Sequence, residues 1–126
     1  MITREYNIQA EGSLPYANLK VYLWEKSPEI QTKNRPLVLI CPGGGYEFTS
    51  DREADPLATQ FLAMGYQVAI LRYSVAPAEY PVALLEAFTA IKMIWENADE
   101  WCVEEEKLFV LGCSAGGHLA ASVGMF

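Results

Sequence analysis

The 126 residues of this chain predict an α/β fold: a mostly parallel sheet with helices on both faces. Three observations carry that expectation. From Pro36 onward, apolar runs alternate with stretches whose apolar residues recur at helical spacing. The runs at 37–41, 67–71 and 108–111 are apolar with little alternation, the mark of strands covered on both faces. The last run passes abruptly into a helical stretch through Gly112-Cys113-Ser114-Ala115-Gly116, with glycine at both second neighbours of the serine.

Taken in order, residues 5–10 and 19–25 are short, alternating and rich in Tyr, Ile, Val and Trp. The turn-forming Gly12-Ser13-Leu14-Pro15 separates them, so they predict two strands in an antiparallel start. Residues 27–35 are polar and predict a loop. The strand at 37–41 ends in Pro42-Gly43-Gly44-Gly45-Tyr46. Residues 53–64 predict a helix on Leu57, Phe61, Leu62 and Met64, with Asp51 near its start and Gly65 as its stop. A buried strand at 67–71 follows, then a loop at 73–81 punctuated by Pro77 and Pro81. Residues 82–97 read as a long helix, since Leu84, Leu85, Phe88, Ile91, Ile94 and Trp95 repeat at helical spacing. The last strand is expected at 107–111 and the last helix just after Ser114. The aromatic residues Phe88, Trp95 and Trp101 read as packing. No linker or internal repeat divides the chain, which predicts one domain over 1–126: the antiparallel start at about 5–25 and a βαβ core at about 36–126.

Composition excludes several classes. The net charge is −7, and the nine Lys and Arg are scattered singly, so phosphate neutralisation has no footprint and nucleic acid is excluded as a partner. The acidic residues between Glu96 and Glu106 read as a solvated helix end and loop. Cys41, Cys102 and Cys113 form an odd set without metal-ligand spacing, which favours a reducing compartment. No apolar leader opens the chain and no apolar run reaches membrane-spanning length, so a cytoplasmic location without membrane association is expected.

The serine at the strand-to-helix turn is the first chemical candidate. A serine in this setting is a nucleophile elbow, whose hydroxyl stands above the sheet and attacks an ester carbonyl to form an acyl-enzyme. The alternative is a helix N-cap serine beside a packing turn. The run Gly43-Gly44-Gly45 lets backbone approach a substrate closely. The amides of Gly44, Gly45 and Ala115 are the expected oxyanion-hole donors, the last aided by the helix dipole. A flexible turn or a phosphate cradle would use the same glycines, but no Walker lysine and no G-x-G-x-x-G accompanies them.

His118 is the only histidine. It lies one turn into the helix that follows Ser114, whereas a triad base arrives from a distant loop, so a structural role supporting the turn is expected. Cys113 is expected to point into the sheet core. Tyr46 and Tyr73 follow strand C-termini, where α/β sheets bind ligands, and either line a substrate pocket or cap the core.

The motifs Pro42-Gly43-Gly44-Gly45-Tyr46, Arg52-Glu53-Ala54-Asp55-Pro56, Leu71-Arg72-Tyr73-Ser74-Val75-Ala76-Pro77 and Gly112-Cys113-Ser114-Ala115-Gly116-Gly117-His118-Leu119-Ala120 resemble those of α/β-hydrolase esterases. The nearest resemblance is to the acetylesterase/carboxylesterase branch related to hormone-sensitive lipase, including acetyl-xylan-esterase-like and feruloyl-esterase-like enzymes. It runs from about residue 17 to the end and implies the α/β-hydrolase fold, truncated after the nucleophile-elbow helix. It also implies Ser114 as nucleophile and Gly44, Gly45 and Ala115 at the oxyanion-hole positions. Proline stands where many relatives carry the histidine of HGGG. The likeness is to the amino-terminal half of an esterase, whose acid and catalytic histidine follow later in the chain.

The expected function is a serine carboxylic ester hydrolase acting on small-molecule esters, of short acyl groups such as acetyl on sugars, without metal or organic cofactor. The alternative is a non-catalytic fragment or pseudoenzyme completed by another chain, or by self-association through an exposed sheet edge. These residues alone are expected to have negligible turnover. A phosphate-binding domain is a third reading, and lacks its fingerprints.

Overall fold

The computed structural model describes residues 1–30 and 34–125. The loop expected at 27–35 falls partly on residues 31–33, outside the described residues. Five strands form one sheet in the order β1-β2-β4-β3-β5, where β1 is Ile2–Asn7, β2 Asn18–Leu23, β3 Arg35–Cys41, β4 Gln67–Arg72 and β5 Val103–Gly112. β2 is antiparallel to both β1 and β4, while β3 is parallel to β4 and to β5. Only β2 therefore runs against the others: the sheet is mixed, with a parallel core. Among the described residues the α-helices are α1 Asp55–Ala63, α2 Val82–Glu96 and α3 Ala115–Met125, with a short 3-10 turn, Asp51–Glu53, ahead of α1.

Topology decides where the helices lie. The β3–α1–β4 connection moves one way along the sheet, and β4–α2–β5 moves back past β3. Right-handed crossovers in opposite directions must use opposite faces. The core divides accordingly. Leu37, Leu39, Cys41, Ala69 and Leu71 pack under α2 and α3, with Leu84, Ala87, Ile91, Ile94 and Leu119. Val38, Ile40, Val68 and Ile70 pack under α1, with Ala58 and Leu62. Alternate residues thus serve two cores, which is why β3 and β4 read as unbroken apolar runs.

Several boundaries differ from expectation, each for a local reason. β1 begins at Ile2 because Ile2, Arg4 and Tyr6 pair with Leu23, Val21 and Leu19. The chain then turns, with the Ala10 amide donating to Ser13 Oγ (2.8 Å). The helix expected from residue 53 starts at Asp55, with Pro56 in its first turn, where a missing N–H is harmless. Asp51 does not cap it; its carboxylate pairs with Arg72 at 2.9 Å. β5 begins four residues earlier than expected, so Glu104, Glu105 and Glu106 lie in a strand rather than in a loop. Register jumps there, from Arg35 opposite Val103 to Leu37 opposite Leu108. Pro36 sits between them with no N–H to offer, and the charged stretch of β5 bows outward. Trp101 packs as expected, but Trp95 is 53% exposed, because it adjoins the inward face of α2 rather than lying on it.

β3 and β5 are neighbours whose following connections leave on opposite faces of the sheet. That divergence opens a crevice at their C-terminal ends, the place where sheets of this kind bind ligands.

Candidate active site

Two turns meet in the crevice. One follows β3 and contains Gly43, Gly44 and Gly45; the other follows β5 and contains Ser114. Ser114 is exposed and holds a left-handed backbone, φ 53°, which a non-glycine residue adopts only where surrounding structure imposes it. The imposition comes from close packing. A Cβ on Gly112 would stand 2.0 Å from the Gly116 carbonyl oxygen, and one on Gly116 would stand 1.9 Å from the Cys41 carbonyl oxygen. Neither position admits a side chain, so the strand can fold back tightly against its helix and α3 can press its first turn onto the end of β3.

The glycine turn lies against this bend. A Cβ built on Gly43 would come within 2.4 Å of the Cys113 carbonyl oxygen and 3.0 Å of Ser114 Cβ. Several bonds hold the turn: Ser50 N–H donates to the Gly43 carbonyl at 2.8 Å, Glu47 N–H to the Gly44 carbonyl at 3.1 Å, and Gly43 N–H to Glu53 Oε1 at 2.9 Å. The Tyr73 hydroxyl donates to the Pro42 carbonyl from beneath. The amides of Gly44, Gly45 and Ala115 have no acceptor among the described residues, and the last opens helix α3.

The two tyrosines separate in role. Tyr73 is fully buried, so its phenol lines no cavity, and burial raises its pKa. The pocket reading of Tyr73 is therefore corrected: it is a strut of the core beneath the glycine turn. Tyr46 has φ 60° and meets Tyr73 edge-on at 5.9 Å between ring centroids. Its hydroxyl shares a 2.8 Å hydrogen bond with His118 Nδ1. One turn along α3 from Ser114, His118 and Leu119 join Tyr46, Tyr80, Ala83 and Leu84 around a cavity of about 310 Å³.

Cys113 does not point into the sheet core as expected. It is only partly buried, beside Glu53, and its thiol pKa is raised by burial first and by the Glu53 carboxylate next. Cys41, in the core under α2 and α3, is deeply buried, which pushes its thiol up to about 12.

Two carboxylates in this region were missed in the sequence. Glu53 grips the glycine turn; it stands within the motif Arg52-Glu53-Ala54-Asp55-Pro56, to which the sequence assigns no chemical role. Glu86 is fully buried, accepting from Ser74 N–H and Ser74 Oγ, each at 2.6 Å. Its sign was a lone charge on the inward face of α2, with Ala87 and Ala90 close by. Among the described residues, no cluster of His, Cys, Asp and Glu is arranged to hold a metal ion, and no helix is long and apolar enough to cross a membrane.

Comparison with known proteins agrees with this architecture. Esterase LipC of Mycobacterium tuberculosis is 30% identical over 105 residues, spanning 82% of this chain and 26% of that protein. MGS-M1, an alpha/beta hydrolase enzyme from a Medee basin deep-sea metagenome library, superposes with a TM-score of 0.83 at 39% identity, over 93% of this chain and 49% of that one. An acetyl ester-xyloside bifunctional hydrolase from Caldicellulosiruptor lactoaceticus gives 0.80 at 32% identity, over 86% and 38%. The chain thus spans about a quarter to a half of these relatives' lengths. The family described as BD-FAE matches residues 21–126; the chain belongs to that family and has the α/β-hydrolase fold over the part it spans.

Proposed function

We propose that this protein is a serine carboxylic ester hydrolase. The observation that carries the proposal is the pairing of an exposed Ser114 at φ 53° with an adjoining glycine turn, amid three amides without acceptors. Ser114 Oγ attacks the ester carbonyl and gives its proton to a general base. The former carbonyl oxygen, now negative, is held by the Gly44, Gly45 and Ala115 amides. The ester C–O bond breaks, the alcohol leaves with a proton, and water releases the acid from Ser114 by the same route. Fixed donors do the stabilising, so no metal or organic cofactor is required.

The proposal gives His118 a supporting part. Its Nδ1 is engaged by Tyr46, and its ring rides on the same helix that presents Ser114. The base and its orienting acid are assigned to the portion of the fold that the longer relatives possess, so the 126 residues alone should turn over negligibly. Short acyl groups, acetyl in particular, are the proposed substrates; one related structure is named an acetyl ester-xyloside hydrolase. Tyr46 is proposed to line the acyl or alcohol pocket, since it faces the cavity.

The test is hydrolysis of p-nitrophenyl acetate by the protein at its natural length, with fluorophosphonate labelling in parallel. Ser114→Ala should abolish both. Saturable hydrolysis that survives Ser114→Ala would overturn the proposal.

A further inference from the structure

Resting on the reading of Ser114 as nucleophile, we infer that Glu53 is a positioning residue: its carboxylate anchors Gly43 so that the two amides after it face the reacting carbonyl. Three consecutive glycines lose more conformational freedom on ordering than any other tripeptide, so a turn built from them needs external anchors. The 50–53 segment supplies both anchors at Gly43. Ser50 N–H takes its carbonyl at 2.8 Å, and Glu53 Oε1 takes its N–H at 2.9 Å.

The segment is itself braced. Arg72 donates to the Thr49 carbonyl at 2.8 Å and pairs with Asp51 at 2.9 Å, tying the segment to the end of β4. With Gly43 satisfied on both sides, its peptide cannot rotate to offer its own N–H to the crevice. The next two amides are left without acceptors.

Glu53 also touches the other half of the site. A Cβ on Gly43 would meet Glu53 Oε1 at 2.9 Å and Ser114 Cβ at 3.0 Å, so carboxylate, glycine turn and serine bend crowd one point. The same carboxylate faces Cys113, the residue before the serine. One side chain therefore touches both turns, and it fixes the aim of the glycine amides rather than the distance between the turns. A carboxylate so close to a developing oxyanion would oppose it by charge. It is tolerable because its oxygen is already engaged by the Gly43 N–H, on the α1 side of the turn.

The experiment compares Glu53→Ala, Glu53→Asp and Glu53→Gln in the protein at its natural length, reading kcat and KM on p-nitrophenyl acetate and affinity for a trifluoromethyl ketone. Glu53→Ala should lower kcat roughly 10- to 100-fold with KM nearly unchanged, since misaimed donors act on the transition state. Ketone affinity should fall in step with kcat/KM. Glu53→Gln keeps an accepting oxygen at the same reach and should recover most of the activity. Glu53→Asp withdraws the oxygen and should resemble Glu53→Ala, and it decides the matter if Glu53→Ala does not fold. Normal kcat in Glu53→Asp, a Glu53→Gln as impaired as Glu53→Ala, or losses that merely follow the folded fraction would overturn the inference. Activity persisting in Ser114→Ala would instead remove the nucleophile reading on which it rests.

Discussion

The Tyr46 hydroxyl and His118 Nδ1 lie 2.8 Å apart, joining the turn after β3 to the helix after β5. Their rings also meet nearly perpendicular, 84°, with centroids 5.9 Å apart. The bond spans the crevice and braces its two sides. Tyr46→Phe and His118→Asn should each destabilise by about 1 kcal/mol, and the double variant by little more than either, because one shared interaction is lost. Thermal unfolding of the four proteins checks this. The proposed structural role of His118 further requires that His118→Asn keep the acid limb of its pH–rate profile, where protonation silences the base; a lost acid limb would make His118 the base.

Ser114 is strained by design of its surroundings, and relief of the strain should be measurable. A left-handed residue with a Cβ costs roughly 1–2 kcal/mol, and glycine returns about half of that through its floppier unfolded chain. Ser114→Gly should therefore raise stability by about 0.5–1 kcal/mol in denaturant unfolding while losing fluorophosphonate labelling. A destabilised Ser114→Gly would mean that the hydroxyl holds the bend together.

Glycines within α3 should respond oppositely to alanine. At Gly116 the new methyl would strike the Cys41 carbonyl oxygen at 1.9 Å, whereas at Gly124 it would meet nothing within 4 Å. Gly116→Ala should cost about 3 kcal/mol or more, and Gly124→Ala should add a few tenths of a kcal/mol through helix propensity. Denaturant midpoints of the two variants decide it.

Alkaline pH should weaken the fold through Cys41. Burial holds its thiol up at about 12. An unfolded thiol ionises near ~8.5. The native state keeps its proton where the unfolded chain releases it. This contribution is intact below the unfolded value and is lost as pH climbs toward the native one, by at most about 1.4 kcal/mol per pH unit. Unfolding free energies between pH 8 and 11 should fall less steeply in Cys41→Ala than in the parent. Equal slopes would clear the thiol of responsibility.

What could be read in advance follows from what short-range pattern encodes. β3, β4 and α2 were legible because residues such as Ile40, Ile70 and Ile91 announce burial by type, and the Ser114 bend because its neighbours must be glycine. Glu53 and Glu86 were not legible, since a carboxylate's partner can lie far off in sequence: Glu86 serves Ser74 across a loop, and Glu53 serves Gly43 around a turn. Tyr73 was ambiguous for a similar reason. Only the fold reveals that its hydroxyl ends on the Pro42 carbonyl beneath the glycines. The early start of β5 escaped notice because charged Glu104–Glu106 does not look like a strand, and Pro36 on the neighbouring strand makes room for it.

That β3 and β5 are hydrogen-bonded neighbours, with Ile40 opposite Leu111 and Cys41 opposite Gly112, has one more consequence. The gap between the glycine run and the serine is fixed by the interstrand distance of a β-ladder, about 4.8 Å, a constant of peptide chemistry rather than of any side chain. Nothing needs to hinge or close to bring the two together. Peripheral segments are then free to change length, sequence and selectivity over evolutionary time while the distance at the centre stays put.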